Sequence, residues 1–322
     1  MLALEAENVR KSFKSYENFL DRIFNRGKSV EALKGISLSV KEGEIFGLLG
    51  PNGAGKTTFM DIISNLILPE SGTVKVFGLD VVKQGLEVRK IINLSSAYSK
   101  FYDELTVREN LEISAMYYDM KIDVKKVISL VNLEEYTDKP FGDISSGNQQ
   151  KVVIARSLMT NPKLLLLDEL TIALDPNIAA RIRKIIKKFR RENKTTIVLA
   201  THNMYEAEEL CDRVAVIHRG RIVACNTAAN LKKLVSGEDV LEITLDKIEN
   251  PSELLMAKFN GAKSIIIDKK NNSVVIHVDN SEKRLHGILK TLMSKKYKIK
   301  SVKLKEPTLE DVFMKLTGTK LE

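Results

Sequence analysis

The sequence predicts an α/β protein of two domains: a long β/α domain and a small α+β domain behind it. Three observations predict this fold class. A glycine-rich segment at 50–57 lies between a short apolar run and a stretch with the spacing of an amphipathic helix. Apolar runs at 164–167 and 196–200 are short and continuous, as in strands of a sheet covered on both faces. Beyond residue 240 the predicted elements follow the order β-α-β-β-α-β of a ferredoxin-like unit.

The N-terminal part is predicted to form an antiparallel sheet edge. Segments 2–9 and 32–40 are predicted strands, since apolar residues alternate along the second of them. A stripe of apolar residues at helical spacing lies between them: Tyr16, Phe19, Leu20, Ile23 and Phe24. This pattern predicts a short amphipathic helix where a loop would be expected. The helix could pack on its own domain or contact a partner or a membrane, and the sequence leaves both open.

The glycine-rich segment has the pattern G-x-x-x-x-G-K-[ST]. It consists of Gly50, Pro51, Asn52, Gly53, Ala54, Gly55, Lys56 and Thr57, followed by Thr58 in the predicted helix. A strand, a glycine loop and a helix in this order direct backbone N–H groups and a helix N-terminus at a polyphosphate. Lys56 is placed to reach the β- and γ-phosphates, and the Thr57 hydroxyl to ligate Mg²⁺. The sequence therefore predicts a binding site for a nucleoside triphosphate.

Two carboxylates, Asp168 and Glu169, end the apolar run at 164–167. An apolar run followed by Asp-Glu is on its own usually just the end of a strand. In a chain that has a glycine loop earlier in its sequence, the same pattern indicates a second motif of the phosphate-binding site. Asp168 would hold Mg²⁺ directly or through water, and Glu169 would orient and deprotonate the attacking water.

The remaining elements extend the first domain to about residue 234. The pattern from 105 to about 133 is helical, and strands at 214–218 and 221–224 flank a hairpin turn at Arg219 and Gly220. We assign residues 1–234 to the first domain, with a helical subdomain at about 98–160, and residues 235–239 to a linker. The second domain comprises residues 240–322.

The second domain is predicted because the spacing of apolar residues changes beyond residue 240. We expect a strand at 240–245, a helix at 252–259 and a hairpin at 265–278 that turns at Asn271 and Asn272. A helix carrying Leu285 to Met293 and a lysine-rich strand ending near 304 follow. A last helix is expected to start at Thr308, with Asp311 in the capping-box position.

Composition excludes several classes of protein. The net charge is +9 over 322 residues, but 42 acidic residues are interleaved with the basic ones, so no nucleic-acid partner is expected. The densest basic run, at 295–305, is more typical of a solvated face or an edge strand, and its functional interpretation is closeness to anionic lipid.

Cys211 and Cys225 are too few for a disulfide framework or a zinc site, which implies a reducing cytosol. No apolar run has the length of a membrane span, and the N-terminus does not resemble a signal peptide.

The segment from Ile144 to Lys151, Ile-Ser-Ser-Gly-Asn-Gln-Gln-Lys, precedes a predicted helix at 152–158. Small polar residues at a helix N-terminus form a second anion-binding end. Here the chain resembles the ATP-binding cassette (ABC) ATPases of membrane transporters, whose signature is L-S-G-G-Q. Ser145 and Gly147 match its serine and second glycine. The resemblance covers residues 2 to about 234 and includes Ala173-Leu174-Asp175 as a dimer-contact loop and His202 as the switch histidine.

The resemblance implies a site shared between two chains. In that family two cassettes pack head to tail, with each ATP between the glycine loop of one chain and the signature of the other. Ser145 and Gly147 would contact the γ-phosphate bound by the partner chain, His202 would sense it, and Glu169 would activate water. Phe13 matches the residue that stacks on adenine, with Tyr16 as the alternative.

The same resemblance implies cofactors, partners and a location. The cofactors are ATP and Mg²⁺. The partners are a second ATPase subunit, in a homodimer or pseudo-dimer, and separate transmembrane permease subunits. The protein would be cytoplasmic and peripheral on the inner face of the cell membrane, held there by those subunits.

One position departs from the family pattern. A glutamine usually lies between the glycine loop and the signature, where this chain has Ala97. The usual Mg²⁺ contact and its link to the membrane subunit are therefore in doubt. Ser95 or Ser96 could hold the metal through a water.

The end of the chain narrows the resemblance to one branch of the family. Residues 306–318 resemble the tail of ATPase subunits from the drug-, antibiotic- and polysaccharide-export branch, which includes the daunorubicin exporter. In that branch the C-terminal domain is regarded as regulatory or dimer-supporting. The leading hypothesis is therefore the ATPase subunit of an exporter.

Two alternatives come from other functional classes. One is a soluble cassette ATPase acting on nucleic acid or ribosomes, although such relatives usually carry two cassettes or long insertions. The other is a nucleotide-gated binding module that hydrolyses ATP poorly, motivated by Ala97. Intact Lys56, Asp168, Glu169 and His202 argue against the second alternative.

Overall fold

The computed structural model of the protein describes residues 1–15, 28–96, 101–171, 174–235, 239–255, 259–269, 271–305 and 307–318. The chain forms two compact units that divide between Ala228 and Ala229. The predicted helix at Tyr16–Phe24, together with Ala97 and Ala173, lies outside the described residues. No helix in the described ranges combines the length and the apolar character needed to span a membrane.

The first unit contains ten strands and seven α-helices within its described residues, with two short 3-10 helices at Glu134–Tyr136 and Phe141–Asp143. The strands are β1 (Leu2–Ser15), β2 (Lys28–Lys41), β3 (Ile45–Leu49), β4 (Ser71–Val76), β5 (Leu79–Asp80), β6 (Ile92–Ser96), β7 (Leu164–Asp168), β8 (Thr196–Thr201), β9 (Arg213–His218) and β10 (Arg221–Asn226). The helices are α1 (Lys56–Ile63), α2 (Gly85–Ile91), α3 (Val107–Tyr117), α4 (Val124–Leu130), α5 (Ser146–Leu158), α6 (Pro176–Asn193) and α7 (Met204–Leu210).

A six-stranded sheet of order β10-β9-β3-β8-β7-β6 forms the centre of this unit. Neighbouring strands are parallel except β10, which returns from β9 as an antiparallel hairpin. Every residue of β3, β7 and β8 is buried, which confirms the prediction of strands covered on both faces. Leu165 and Leu167 pack into one hydrophobic core, while Leu164 and Leu166 pack into the core on the other face. Three fully buried parallel strands therefore end side by side at one edge of the sheet.

A second sheet, of order β2-β1-β4-β5, is antiparallel. The predicted pairing of the first two strands is confirmed, but both strands are longer than predicted. Their outer ends lack apolar alternation and are joined instead by polar contacts, such as the ion pair between Arg10 Nη1 and Glu31 Oε1 at 3.1 Å. Strands β4, β5 and β6 were not predicted.

The helices between β6 and β7 confirm the predicted helical pattern, with one correction. Helix α5 begins at Ser146 and not near Val152, so the signature residues lie in its first turn. The Ser145 hydroxyl caps this turn by accepting from the backbone N–H of Asn148 at 3.4 Å. Helix α3 begins with a capping box in which Thr106 and Glu109 bond to each other's backbone N–H.

The second unit has the predicted ferredoxin-like order. Its strands are β11 (Asp239–Leu245), β12 (Ala262–Asp268), β13 (Ser273–Val278) and β14 (Ile299–Lys305), and its helices are α8 (Ala228–Val235), α9 (Pro251–Leu255), α10 (Ser281–Ser294) and α11 (Leu309–Thr317). The sheet order is β12-β13-β11-β14, antiparallel throughout, so the lysine-rich strand β14 lies at an edge as predicted. The capping box of Thr308 and Asp311 is confirmed. The helix expected at 252–259 is described only as Pro251–Leu255, because residues 256–258 lie outside the described ranges.

Candidate nucleotide-binding site

The glycine loop connects the buried strand β3 to helix α1. Gly55 has φ +105°, in the left-handed region that glycine tolerates best, and the backbone oxygen of Ala32 lies 2.7 Å from where a Cβ would be. The loop therefore needs glycine at this position for two reasons, conformation and space. The turn brings Lys56 and Thr57 to the first turn of α1, at the end of the central strand.

Lys56 is the central cation of the site. Its side chain is 5% exposed, and its Nζ donates to the carbonyl oxygens of Gly50 at 2.7 Å and Pro51 at 3.1 Å. The same Nζ lies 3.1 Å from Oε1 of Glu169. The ammonium group is thus within reach of both the loop that precedes it and the carboxylate at the end of β7.

Thr57 and Asp168 meet across the same edge of the sheet. The Thr57 hydroxyl donates to Oδ2 of Asp168 at 2.9 Å, while Oδ1 of Asp168 is buried without a hydrogen-bond partner among the described residues. Burial raises the pKa of Asp168, with the Thr57 hydrogen bond opposing the shift and the charge of Glu169 adding to it. A buried carboxylate oxygen with no donor is a suitable ligand for a hard cation such as Mg²⁺.

Glu169 and His202 form a contact between the ends of neighbouring strands β7 and β8. Nδ1 of His202 lies 2.8 Å from Oε2 of Glu169, a hydrogen bond in which an ionised carboxylate accepts from the Nδ1–H tautomer of the imidazole. Glu169 has φ +51°, which is uncommon for a residue with a side chain, and its backbone N–H donates to the carbonyl of Ala200 at 3.0 Å. Unusual backbone geometry of this kind clusters at functional sites.

The signature residues Ser145 and Gly147 lie elsewhere in the unit. No hydrogen bond or ion pair joins either of them to Lys56, Asp168 or Glu169 in the parts of the chain that the structure describes. They are connected to the site indirectly, since Nε2 of Gln150 in the same helix donates to the carbonyl of Leu170 at 2.9 Å. Within one chain, the two predicted phosphate-binding elements, the glycine loop and the signature, are therefore separate from each other.

A cleft of mixed charge opens beside the signature. It has a volume of about 510 Å³ and is lined by Asn132, Glu134, Glu135, Tyr136, Ser145, Asn148, Lys151, Ile178 and Arg181. Burial lowers the pKa of Lys151, and the nearby Arg181 lowers it further, while the charge of Glu134 opposes the shift. The two cations of the lining are thus balanced by the carboxylates of Glu134 and Glu135.

Phe13 lies on strand β1, where the residue is 43% exposed and Nζ of Lys11 is 5.6 Å from the ring centroid. An exposed aromatic ring beside a cation is available for stacking. The alternative residue, Tyr16, lies outside the described residues.

Sequence reasoning missed Glu206. This carboxylate is buried next to the Glu169–His202 contact and accepts from the Thr171 hydroxyl at 2.9 Å. The only sequence signal is Asn203 followed three residues later by Glu206, a pattern typical of helix capping.

These features define a P-loop nucleotide hydrolase fold: a buried central strand, a glycine loop with its lysine, and two consecutive carboxylates at the end of strand β7. Comparison with known proteins places the chain within that class. Residues 33–172 match the family described as ABC transporter, and residues 227–317 match the C-terminal domain of DrrA1-3-like ATP-binding proteins. The chain belongs to the family of ATP-binding proteins of ABC transporters, and it is an ATPase subunit that powers transport across a membrane.

The similar proteins match over most of their length. The daunorubicin resistance ATP-binding protein DrrA2 of Streptomyces coeruleorubidus is 32% identical over 296 residues, which cover 90% of this chain and 92% of the relative. The bacitracin transport ATP-binding protein BcrA of Bacillus licheniformis is 32% identical over 301 residues, or 93% and 95% of the two chains. Among solved structures, the dimeric cassette MJ0796 bound to ADP and Pi is 27% identical with a TM-score of 0.60, covering 70% of this chain and 98% of that one.

Proposed function

We propose that this chain is the ATP-hydrolysing subunit of a membrane exporter, in which two ATPase subunits enclose ATP between the glycine loop of one and the signature of the other. The observation that carries the proposal is the convergence of Lys56, Thr57, Asp168, Glu169 and His202 at the ends of the adjacent strands β3, β7 and β8. The second unit supports the export branch, because its family match is to proteins of the DrrA type.

The phosphates of ATP would be bound by the glycine loop from Gly50 to Thr58. Lys56 is already held at the loop by two carbonyl oxygens, so little side-chain entropy is lost when it binds phosphate. Phe13 would stack on the adenine with its exposed ring. These assignments follow the predicted roles and rest on the geometry of the loop.

Thr57 and Asp168 would hold Mg²⁺, and the unpartnered Oδ1 of Asp168 is the feature that fits this ion. When bound, Mg²⁺ neutralises charge that develops on the phosphates. Because Mg²⁺ retains several waters, the residues present can hold it without a protein oxygen at position 97.

Glu169 would accept the proton of the attacking water. His202 fixes the rotamer of this carboxylate through its 2.8 Å hydrogen bond, so the base is oriented before the water arrives. The proximity of Lys56 places a positive charge beside both the phosphates and Glu169, where negative charge moves during hydrolysis.

Ser145 and Gly147 would bind the γ-phosphate held by a partner chain, and Lys151 and Arg181 are among the residues that line the cleft beside Ser145. Their separation from the glycine loop within one chain supports a site completed by a second subunit. The membrane permease subunits would hold the protein at the inner face of the cell membrane. The nucleic-acid alternative has no specific observation in its favour.

The experiment that tests this proposal is ATP-dependent dimerisation of the Glu169→Gln variant, measured by size-exclusion chromatography with light scattering. Slowed hydrolysis should trap the closed dimer at saturating ATP and Mg²⁺. Ser145→Ala in the Glu169→Gln background should weaken the dimer, while the exposed Glu208→Gln change in that background should not. A Glu169→Gln protein that binds ATP and remains monomeric would contradict the shared site.

A further inference from the structure

A second buried carboxylate lies beside the proposed catalytic pair and has no part in the mechanism above. Glu206, on helix α7, is only 1% exposed. Its Oε1 accepts a hydrogen bond from the Thr171 hydroxyl at 2.9 Å. The helix itself is anchored to Thr201, whose hydroxyl accepts from the backbone N–H of the cap residue Asn203 at 3.0 Å. Thr171 and Thr201 come from different segments of the chain, so Glu206 and its helix bridge them.

Each of these threonines adjoins one member of the catalytic pair. Thr171 follows Glu169 by two residues, and Thr201 directly precedes His202. Glu169 and His202 are themselves in contact at 2.8 Å. Glu206 and the start of its helix are therefore bonded to both of the short segments whose side chains must meet for hydrolysis.

Helix capping does not explain the position of Glu206. In a capping box its carboxylate would accept from the backbone N–H of Asn203, but that N–H donates to the Thr201 hydroxyl at 3.0 Å. Only the reciprocal half of the box is present, in which the backbone N–H of Glu206 donates to Oδ1 of Asn203 at 3.1 Å. The carboxylate bonds instead to Thr171, just beyond the end of β7.

The burial of Glu206 costs free energy. Burial raises its pKa, and the hydroxyl groups of Thr201 and Thr171 and the charge of Arg183 oppose that shift. A buried carboxylate held by a specific donor is rarely the most stabilising choice at its position, which makes a role in specifying geometry the better explanation.

We propose that Glu206 is a positioning residue that sets the relative placement of Glu169 and His202 by bonding Thr171 from the helix whose cap residue directly follows His202. This proposal rests on the proposed roles of Glu169 and His202. Removing the bridge should let the two strand ends shift by fractions of an ångström. Because no hydrogen bond or ion pair joins Glu206 to the phosphate-binding loop within the described part of the chain, the effect should fall on kcat and not on the KM for ATP.

The test is steady-state ATP hydrolysis by the full-length chain carrying Glu206→Ala, Glu206→Gln or Thr171→Val. We expect Glu206→Ala to lower kcat at least ~10-fold, since misplacement near 1 Å can cost roughly 100-fold, with KM for ATP changed less than ~2-fold. Glu206→Gln retains an acceptor for the Thr171 hydroxyl and should recover most of kcat. Thr171→Val, which keeps shape and removes the donor, should lower kcat in the same direction. Glu208→Ala, at an exposed carboxylate of the same helix, is the matched control and should leave both constants unchanged.

A double-mutant cycle decides whether Glu206 acts through the catalytic pair. In a His202→Ala background the further loss caused by Glu206→Ala should shrink to less than ~3-fold, because the contact that it positions is already gone. Independent, multiplicative losses would contradict the proposal, as would an unchanged kcat or a parallel change in kcat and KM. If Glu206→Ala does not fold, Thr171→Val decides: a lowered kcat supports the bridge and a normal kcat overturns it. An inactive wild-type protein would instead refute the proposed function itself.

Discussion

At the residue scale, three carboxylates meet at the end of strand β7. Asp168 and Glu169 are consecutive, and Asp61 approaches from helix α1, where burial and the charge of Asp168 raise its pKa. Burial also raises the pKa of Asp168. Lys56 is the nearest counter-charge, through its 3.1 Å contact with Glu169. The arrangement is unfavourable for folding unless a cation binds, and such a trade between stability and function is common at active sites.

This predicts that Asp168→Asn stabilises the protein when Mg²⁺ is absent. The amide keeps the shape and an acceptor for Thr57 but removes a buried negative charge. We expect the melting temperature of the first unit to rise by a few degrees, at about 2–4 °C per kcal/mol for a unit of this size. The stabilisation that Mg²⁺ and ATP give the wild-type protein should be lost. Differential scanning fluorimetry with and without Mg²⁺ measures both effects, and a variant less stable than wild type without metal would contradict the argument.

Sequence reasoning located the residues of the site because each ends or begins a strongly patterned element. Lys56 and Thr57 follow a buried strand, and Asp168 and Glu169 end one, so parallel packing alone brings them to the same sheet edge. Glu206 was missed because its spacing from Asn203 is that of an ordinary helix cap. Its actual partner, Thr171, lies beside it only in the folded chain.

At the element scale, local sequence patterns predicted some helices and strands well and missed others. The interior strands β7 and β8 were predicted from continuous apolar runs, whereas β6, Ile-Asn-Leu-Ser-Ser, has too few apolar residues for the same rule. Helix α5 starts earlier than predicted because the Ser145 cap outweighs the weak helix propensity of Ser146 and Gly147. The outer ends of β1 and β2 are joined by polar pairs, and a search for alternating apolar residues does not detect such pairs.

Two glycines of the second unit give a matched prediction. Gly287 lies in the interior of α10, where an added Cβ would meet no other atom, so Gly287→Ala should stabilise the unit by about 0.5–1 kcal/mol. Gly261 has φ +78°, and an added Cβ there would lie 2.8 Å from Oδ1 of Asp279 and overlap Arg284. Gly261→Ala should therefore destabilise the same unit. Calorimetry of both variants measures the two signs, and equal shifts would contradict the backbone argument.

At the scale of the whole molecule, the chain combines an ATPase fold with a ferredoxin-like unit. The compact units divide at Ala228 and Ala229, so helix α8 groups with the second unit. The division into a domain at 1–234, a linker at 235–239 and a domain at 240–322 stays a prediction.

Limited proteolysis tests that division. A glutamate-specific protease should cut first near Glu238, in the predicted linker, and leave two fragments that persist. ATP and Mg²⁺ should protect the larger fragment and leave the smaller one unaffected, since all the proposed nucleotide-binding residues lie in the first unit. Early cuts within the six-stranded sheet would contradict the assignment. Mass spectrometry of the fragments identifies the first cut.

The central claim is that the constellation around Lys56 and Glu169 hydrolyses ATP. The most direct measurement is the steady-state ATPase rate and ATP affinity of the full-length wild type, Glu169→Gln and Lys56→Ala, with Glu208→Gln as the exposed control. We predict that Glu169→Gln binds ATP with near-normal affinity and loses at least ~100-fold in rate, the lower range for a general base. Lys56→Ala should lose affinity for ATP, and the control should match wild type. Hydrolysis by Glu169→Gln at the wild-type rate would contradict the account.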